Sequence, residues 1–300
     1  MARERFKRQG KGTFFGEMIY ERIVPKDHFL RKLDELIPWE RFTQRLVKLY
    51  EGKGKRGRPP YDPAVLLKML LVAYLYDLSE RQVEAVANDS LSVKYFLGLA
   101  ADEPAPDHST LTAFKRRLID NGGGAVFEQL LVEIVGIAHE RGIEFGAIQV
   151  MDSAHTEADV NTSKDDQRQN RGQGPRDGGA RWGVKHKRRV KDEQGHTRKV
   201  PKYFYGYKAH VSLNAETEMI TSVMVTAGNA YDGHELPHLL KKDLAAGIPI
   251  EIVAADRGYD DGENHYLLEL EGLSSAICLN AYRTNERQEQ ADLDRPEGES

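Results

Sequence analysis

In residues 1–145 the apolar positions recur with the 3.6-residue period of helices, and beyond them short runs of strand character take over. Val65, Leu66, Met69, Leu70, Val72 and Ala73 make a broad apolar face behind Pro63, a proline suited to a first helical turn. Ser79-Glu80-Arg81-Gln82 has the spacing of a capping box and opens a helix through Val83, Val86 and Ala87. A third, short helix is predicted near residues 91–97. After the breaker Pro104-Ala105-Pro106, Ser109 or Thr110 is expected to cap a helix holding Leu111, Phe114 and Leu118, which Gly122-Gly123-Gly124 ends. An amphipathic helix over 127–141 closes this half.

Strands are predicted over 148–151, 203–213 and 219–226, the last two joined by the turn Asn214-Ala215-Glu216-Thr217. A helix over 234–245, a strand over 250–255, a helix over 263–270 and a strand over 275–279 complete the order β-β-β-α-β-α-β. Three meandering strands followed by right-handed α crossovers give a mixed sheet with helices on its faces. The chain therefore reads as α+β overall, with an all-helical N-terminal domain over 1–145 and a ribonuclease H-like mixed α/β domain over 146–300. In that fold the first strand lies beside the fourth.

Composition narrows the class. With 300 residues, 40% apolar and 30% charged, the chain suits two soluble globular domains and excludes a disordered or fibrous protein. The stretch Ala64 to Tyr76 is too short for a bilayer and is interrupted by Lys68, so a buried helix is expected and no membrane partner. Cys278 has no second cysteine to pair with, and Met1 to Arg5 lack the apolar core of a signal peptide; a reducing cytosol is expected. The net charge of −4 argues weakly against a polyanionic partner, yet residues 161–202 form a basic insertion with 13 Lys or Arg against 5 Asp or Glu. Such a segment binds a phosphate backbone or is a solvated surface loop.

The candidate chemistry rests on Asp152 and Asp256, each directly after an apolar strand. Neighbouring strands lie about 4.8 Å apart, close enough for two carboxylates to repel and for a divalent cation to offset that repulsion. Their bland alternatives are a strand-end cap at Ser153 and a turn at Gly258. Lys208 and His210 alternate with Tyr207 and Ala209 and so share a face, where they contact a phosphate, support the carboxylates, or serve as a solvated cation and a satisfied histidine. His155, Glu157 and Asp159 read as a polar loop. Arg56-Gly57-Arg58 has the form of a minor-groove hook core or of a basic linker. Lys115, Arg116 and Arg117 are expected on the outer side of their helix, which with the helix after Ser79 makes a helix-turn-helix-like unit for phosphates or base edges.

Ordered blocks extend these readings. They are Gly57-Arg58-Pro59-Pro60-Tyr61-Asp62-Pro63, Leu78-Ser79-Glu80-Arg81-Gln82, Tyr95-Phe96-Leu97-Gly98-Leu99, Pro106-Asp107-His108-Ser109-Thr110-Leu111 and Phe114-Lys115-Arg116-Arg117-Leu118. Met151-Asp152-Ser153, Gly206-Tyr207-Lys208-Ala209-His210, Thr226-Ala227-Gly228-Asn229-Ala230-Tyr231-Asp232 and Ala255-Asp256-Arg257-Gly258-Tyr259 follow. The set resembles the DDE transposases of bacterial insertion sequences. The resemblance implies cleavage and strand transfer of DNA by two-metal phosphoryl transfer, with Mg²⁺ or Mn²⁺, two ions in an intact site, held in part by Asp152 and Asp256. It implies double-stranded DNA as partner, both the transposon's terminal inverted repeats and the target, and a homo-oligomer on that DNA at the nucleoid. The family's third acid sits on a helix after the fifth strand. Glu286 lies too near that strand, so 285–300 reads as the connection before a missing helix, and the catalytic domain as incomplete at its C-terminus. A chain of this extent is then expected to bind DNA with little cleavage. The alternatives are a non-catalytic DNA-binding remnant that inhibits a full-length transposase, and a ribonuclease H-like nuclease.

Overall fold

Two compact units, residues 1–133 and 134–300, make up the computed structural model, which describes residues 6–7, 10, 14–50, 59–121, 124–191 and 197–280. The first unit is helical: α1 (Phe14–Ile23), α2 (Phe29–Leu36), α3 (Trp39–Lys48), α4 (Pro63–Leu75), α5 (Glu80–Asp89), α6 (Leu91–Leu97) and α7 (His108–Asp120), with α8 (Gly124–Glu140) beginning at its end. Pro63 occupies the first turn of α4, and the Asp62 side chain accepts from the Ala64 N–H. At α5 the capping box forms in full between Ser79 and Gln82. The cap of α7 is Asp107 rather than Ser109 or Thr110: its carboxylate accepts from the Thr110 N–H at 2.8 Å and from the Ser109 hydroxyl, and a charged acceptor outcompetes a hydroxyl for the exposed N–H groups. Met69, Val72, Val83, Phe96, Leu111 and Phe114 fill the core. Within it Lys68 is buried, its ammonium 2.5 Å from Asp34 Oδ1 and over the rings of Trp39 and Phe96.

The second unit holds one six-stranded sheet. Its strands are β1 (Ile148–Glu157), β2 (Arg181–Lys191), β3 (Thr197–Asn214), β4 (Met219–Ala227), β5 (Ile252–Ala255) and β6 (Ser274–Ile277), with α9 (Thr162–Asn170), α10 (Leu236–Ala245) and α11 (Gly262–Leu270) between them. β4, β3 and β1 run antiparallel in turn, and β1, β5 and β6 run parallel, which is the ribonuclease H-like arrangement with the first predicted strand beside the fourth. The order β-β-β-α-β-α-β needs correction by two elements, α9 and β2, both inside the basic insertion. α9 is polar and β2 is a run of cations, so neither carries an apolar period. β1 also runs past Met151 to Glu157, because β3 supplies partners as far as Gly206. His155 and Glu157 are therefore strand residues, not loop. No helix among the described residues is long and apolar enough to cross a membrane.

Met151, Val253, Leu236, Leu239, Leu240, Tyr259 and Leu268 form the second core. Beside it lies a fully buried polar knot. Gln149 Nε2 lies 2.7 Å from Thr221 Oγ1, 3.1 Å from Ser212 Oγ and 3.1 Å from Asp243 Oδ2, three acceptors sharing its two hydrogens, while its Oε1 accepts from Asn214 Nδ2 at 2.9 Å. One side chain so ties β1 to β3, β4 and α10. Buried polar groups that lose a partner retain their desolvation cost, so Gln149→Leu is expected to lower unfolding stability by about 2 kcal/mol, read by urea denaturation.

Candidate active site

The β1–β5 ladder ends at the pair Met151↔Ala255, so the next residue on each parallel strand is an aspartate, Asp152 or Asp256. Asp152 is not at the end of β1, as the apolar run alone suggests; it is where β5 stops while β1 continues beside β3, opposite Val211. Both residues are exposed. Asp152 Oδ1 accepts from the Ser153 N–H at 2.7 Å, and Asp256 Oδ1 from the Gly258 N–H at 2.8 Å, where it caps a single 3-10 turn, Arg257–Tyr259. A β-carbon on Gly258 would sit 2.9 Å from Asp256 Oδ1 and 3.6 Å from Asp232 Oδ2.

That contact brings in a residue with no role assigned from sequence. Asp232 opens the 3-10 turn Asp232–Glu235 after β4, and its Oδ1 accepts from Lys208 Nζ at 2.9 Å. Lys208 also donates to the Ala230 carbonyl at 2.8 Å, so the ammonium is held by the loop it faces. Asn264 on α11 fastens the two turns together, donating to the carbonyls of Gly233 and Tyr259. Asp260, buried beside it, accepts from the Asn280 N–H at 2.6 Å and bonds His265 at 3.0 Å. The available sequence signal was positional: Asp232 and Asp256 each follow a strand, but nothing local says that β4 and β5 end near one another.

Tyr259 lies beneath this group. It is fully buried, with Ser153 as the side-chain neighbour of its hydroxyl. Burial, followed by the charges of Asp232, Asp152 and Asp256, raises its pKa, so the hydroxyl keeps its proton as a donor. His210 shares a face with Lys208 as expected, but its ring is 0% exposed. Nε2 bonds Thr226 Oγ1 at 2.8 Å, and Nδ1 sits 3.8 Å from Asp232 Oδ1 without a hydrogen bond. Burial lowers its pKa against the pull of Asp232, so the ring is neutral near pH 7 and acts as packing behind Lys208; a phosphate cannot reach it.

The oxygen-only chemistry of Asp152 and Asp256 fits a hard divalent cation such as Mg²⁺ or Mn²⁺. Among the described residues, no group of three or more His, Cys, Asp or Glu is placed to hold a metal ion. Asp232 is paired with Lys208 through Oδ1.

Residues 18–117 match the family model described as a transposase domain (DUF772), and residues 159–299 match that of the transposase DDE domain. The chain belongs to the DDE transposases. Among solved structures, this DDE transposase is similar to the piggyBac transposase synaptic complex with hairpin DNA, at 11% identity and TM-score 0.36 over 90% of this chain and 52% of that one. It is also similar to the Mos1 mariner paired-end complex with Mn, at 12% identity and TM-score 0.25 over 87% and 71%, and to the Mos1 paired-end complex with left transposon end, at 13%, 0.24, 87% and 70%. The chain spans about half the length of the piggyBac protein.

The remaining sequence candidates of this DDE transposase fall out unevenly. Arg56, Arg58, Glu286 and the segment 285–300 lie outside the described residues. Lys115, Arg116 and Arg117 do not share one outer surface. Lys115 pairs with Glu80 of α5 at 2.7 Å, Arg117 stacks over Tyr50 at 3.9 Å, and Arg116 is exposed. α5 and α7 do pack together, joined as well by His108 to Glu84 at 2.7 Å. α6 intervenes between them in the chain, which is why the spacing exceeds a tight turn.

Proposed function

We propose that this transposase cleaves DNA at the ends of an insertion sequence and joins those ends to a target, with Asp152 and Asp256 as its catalytic carboxylates. The observation that carries the reading is the parallel pairing of β1 with β5, whose last pair, Met151↔Ala255, makes the two aspartates neighbours across 104 positions of sequence. Asp152 and Asp256 would hold a divalent cation, Mg²⁺ or Mn²⁺, with two ions in the intact site. When bound, such ions activate the attacking oxygen and stabilise the leaving one. Lys208, held by Asp232 and the Ala230 carbonyl, braces the loop after β4 beside the two aspartates.

The helical domain, residues 1–145, takes the terminal inverted repeats on this reading, through Arg116 on α7 and the basic stretch around Arg56 and Arg58. The active assembly is a homo-oligomer on DNA in the bacterial cytoplasm. A nuclease on the same fold would cut without joining. The purified protein, incubated with Mn²⁺ and duplexes carrying the element's own ends and a plasmid target, is expected to bind the ends, and strand-transfer products identify the joining activity. Cleaved ends with no joined product favour the nuclease. Absence of both end binding and metal-dependent products removes the transposase reading.

A further inference from the structure

Residues 197–205 of β3 have only β2 as a strand partner among the described residues: the ladder with β1 begins at Gly206 and that with β4 at Tyr207. The β2–β3 ladder from Arg181↔Gly206 to Lys191↔Thr197 is thus a two-stranded arm carried beyond the sheet. At about 3.4 Å per residue it is roughly 34 Å long, close to one turn of duplex DNA, and a two-stranded ribbon is an element the major groove admits.

Its residues match that shape. Positions 181–191 and 197–206 contain nine Lys or Arg and no Asp or Glu. At the arm's base, the register puts Trp182 opposite Tyr205 and Val184 opposite Tyr203, one face of the ribbon; Trp182 is 53%, Val184 46% and Tyr203 59% exposed. The ladder shifts register between Val184 and His186, so Lys185 is an extra, exposed residue across from exposed Lys202. Such a bulge bends a strand and re-aims a side chain. Joining residues 192–196 lie outside the described residues and form no part of this surface.

We propose that the β2–β3 arm is a DNA-docking ribbon, lying along a groove of duplex DNA with Lys185 and Lys202 on phosphates and the Trp182–Tyr203 face against the sugar edge. This rests on the DNA-processing reading above. Protection of exposed edges against aggregation explains a lysine on either strand of the arm, but it needs only one or two such charges, not nine. Pairing with a second copy would set two acid-free cationic strands side by side, which like-charge repulsion disfavours.

Fluorescence anisotropy of the whole protein with a labelled duplex of arbitrary sequence, over a range of KCl, tests the arm. Each lost phosphate contact lowers the slope of log affinity against log salt by about 0.9. Lys185→Gln/Lys202→Gln is expected to reduce the slope by about 2 and the affinity at about 0.1 M salt by roughly 50-fold, with Lys241→Gln on α10 unchanged and thermal melting preserved. Duplex binding by the double variant with wild-type slope and affinity overturns the arm and leaves the DNA reading standing. So does a change in sedimentation coefficient with the slope intact, which would make the arm an interface between copies. Failure of the wild-type protein to bind any duplex at low salt defeats the arm together with the reading beneath it.

Discussion

Asp152→Asn is expected to lower metal-dependent DNA cleavage by on the order of 10³-fold, about 4 kcal/mol of transition-state stabilisation, while duplex affinity stays within about twofold. The amide keeps the size of the carboxylate and can still accept from the Ser153 N–H, so the local turn survives; what goes is the negative charge that would hold a cation on the proposed reading. Asp256→Asn should behave alike, since the same argument holds for its bond from Gly258. Because the two carboxylates act on one site, the double variant should be little worse than either single one. Asp159→Asn, beyond the end of β1, should keep the full rate. Single-turnover cleavage and anisotropy, read side by side, separate chemistry from binding. A rate that survives both substitutions, or a loss that tracks melting of the fold, removes these residues from the catalytic role.

Lys68→Ala is expected to destabilise the protein by about 3–5 kcal/mol, the range for removing one member of a buried pair. Lys68 is 6% exposed, and the Asp34 side chain is 12% exposed. Truncation leaves that carboxylate in low dielectric with its nearest cation gone, and it opens space against Trp39 and Phe96, over whose rings the ammonium sits. Lys68→Met/Asp34→Leu should recover most of the loss, because apolar replacements of similar volume do about as well as a buried ion pair. Urea denaturation followed by circular dichroism checks both variants. A cost below about 1 kcal/mol for Lys68→Ala would mean that water reaches the pair and that the helical core closes without it.

The sequence was legible where the determinants are local. Ser79 and Gln82 lie three positions apart, and their capping box needs only each other. The apolar face of α4 and the alternation along β3 over Tyr203 to Leu213 follow from side-chain periods that any partner surface would reward. Where the signal was a competition, local reading chose wrongly: Asp107 takes the cap of α7 from Ser109 and Thr110 because charge strengthens its bond. Lys68 reads as an interruption of an apolar run, and only the approach of α2 with Asp34 turns it into part of the core.

The candidate site divides in the same way. Asp152, Asp256, Lys208 and His210 stand out by type and by position after or within a strand. Their partners do not. That Asp232 neutralises Lys208 and comes within reach of Asp256 depends on where β4 and β5 end, and that His210 is sealed from solvent depends on what packs over its face of β3.

Taken alone, the chain's pattern of apolar and polar residues determined a helical first half and a mixed β/α second half and marked Asp152 and Asp256 by their place after apolar runs, while the pairing of the first strand with the fourth came with the fold that this element order matches. Each of these rests on hydrogen bonding and burial within a few residues, or on the small set of topologies that handed crossovers permit. The tertiary structure decided how far β1 runs, that the basic insertion contains a strand at all, and which charges are paired, buried or free to meet DNA. A strand's length and a side chain's electrostatic state are set by groups brought close through folding, and no span of sequence short enough to read by period contains both partners.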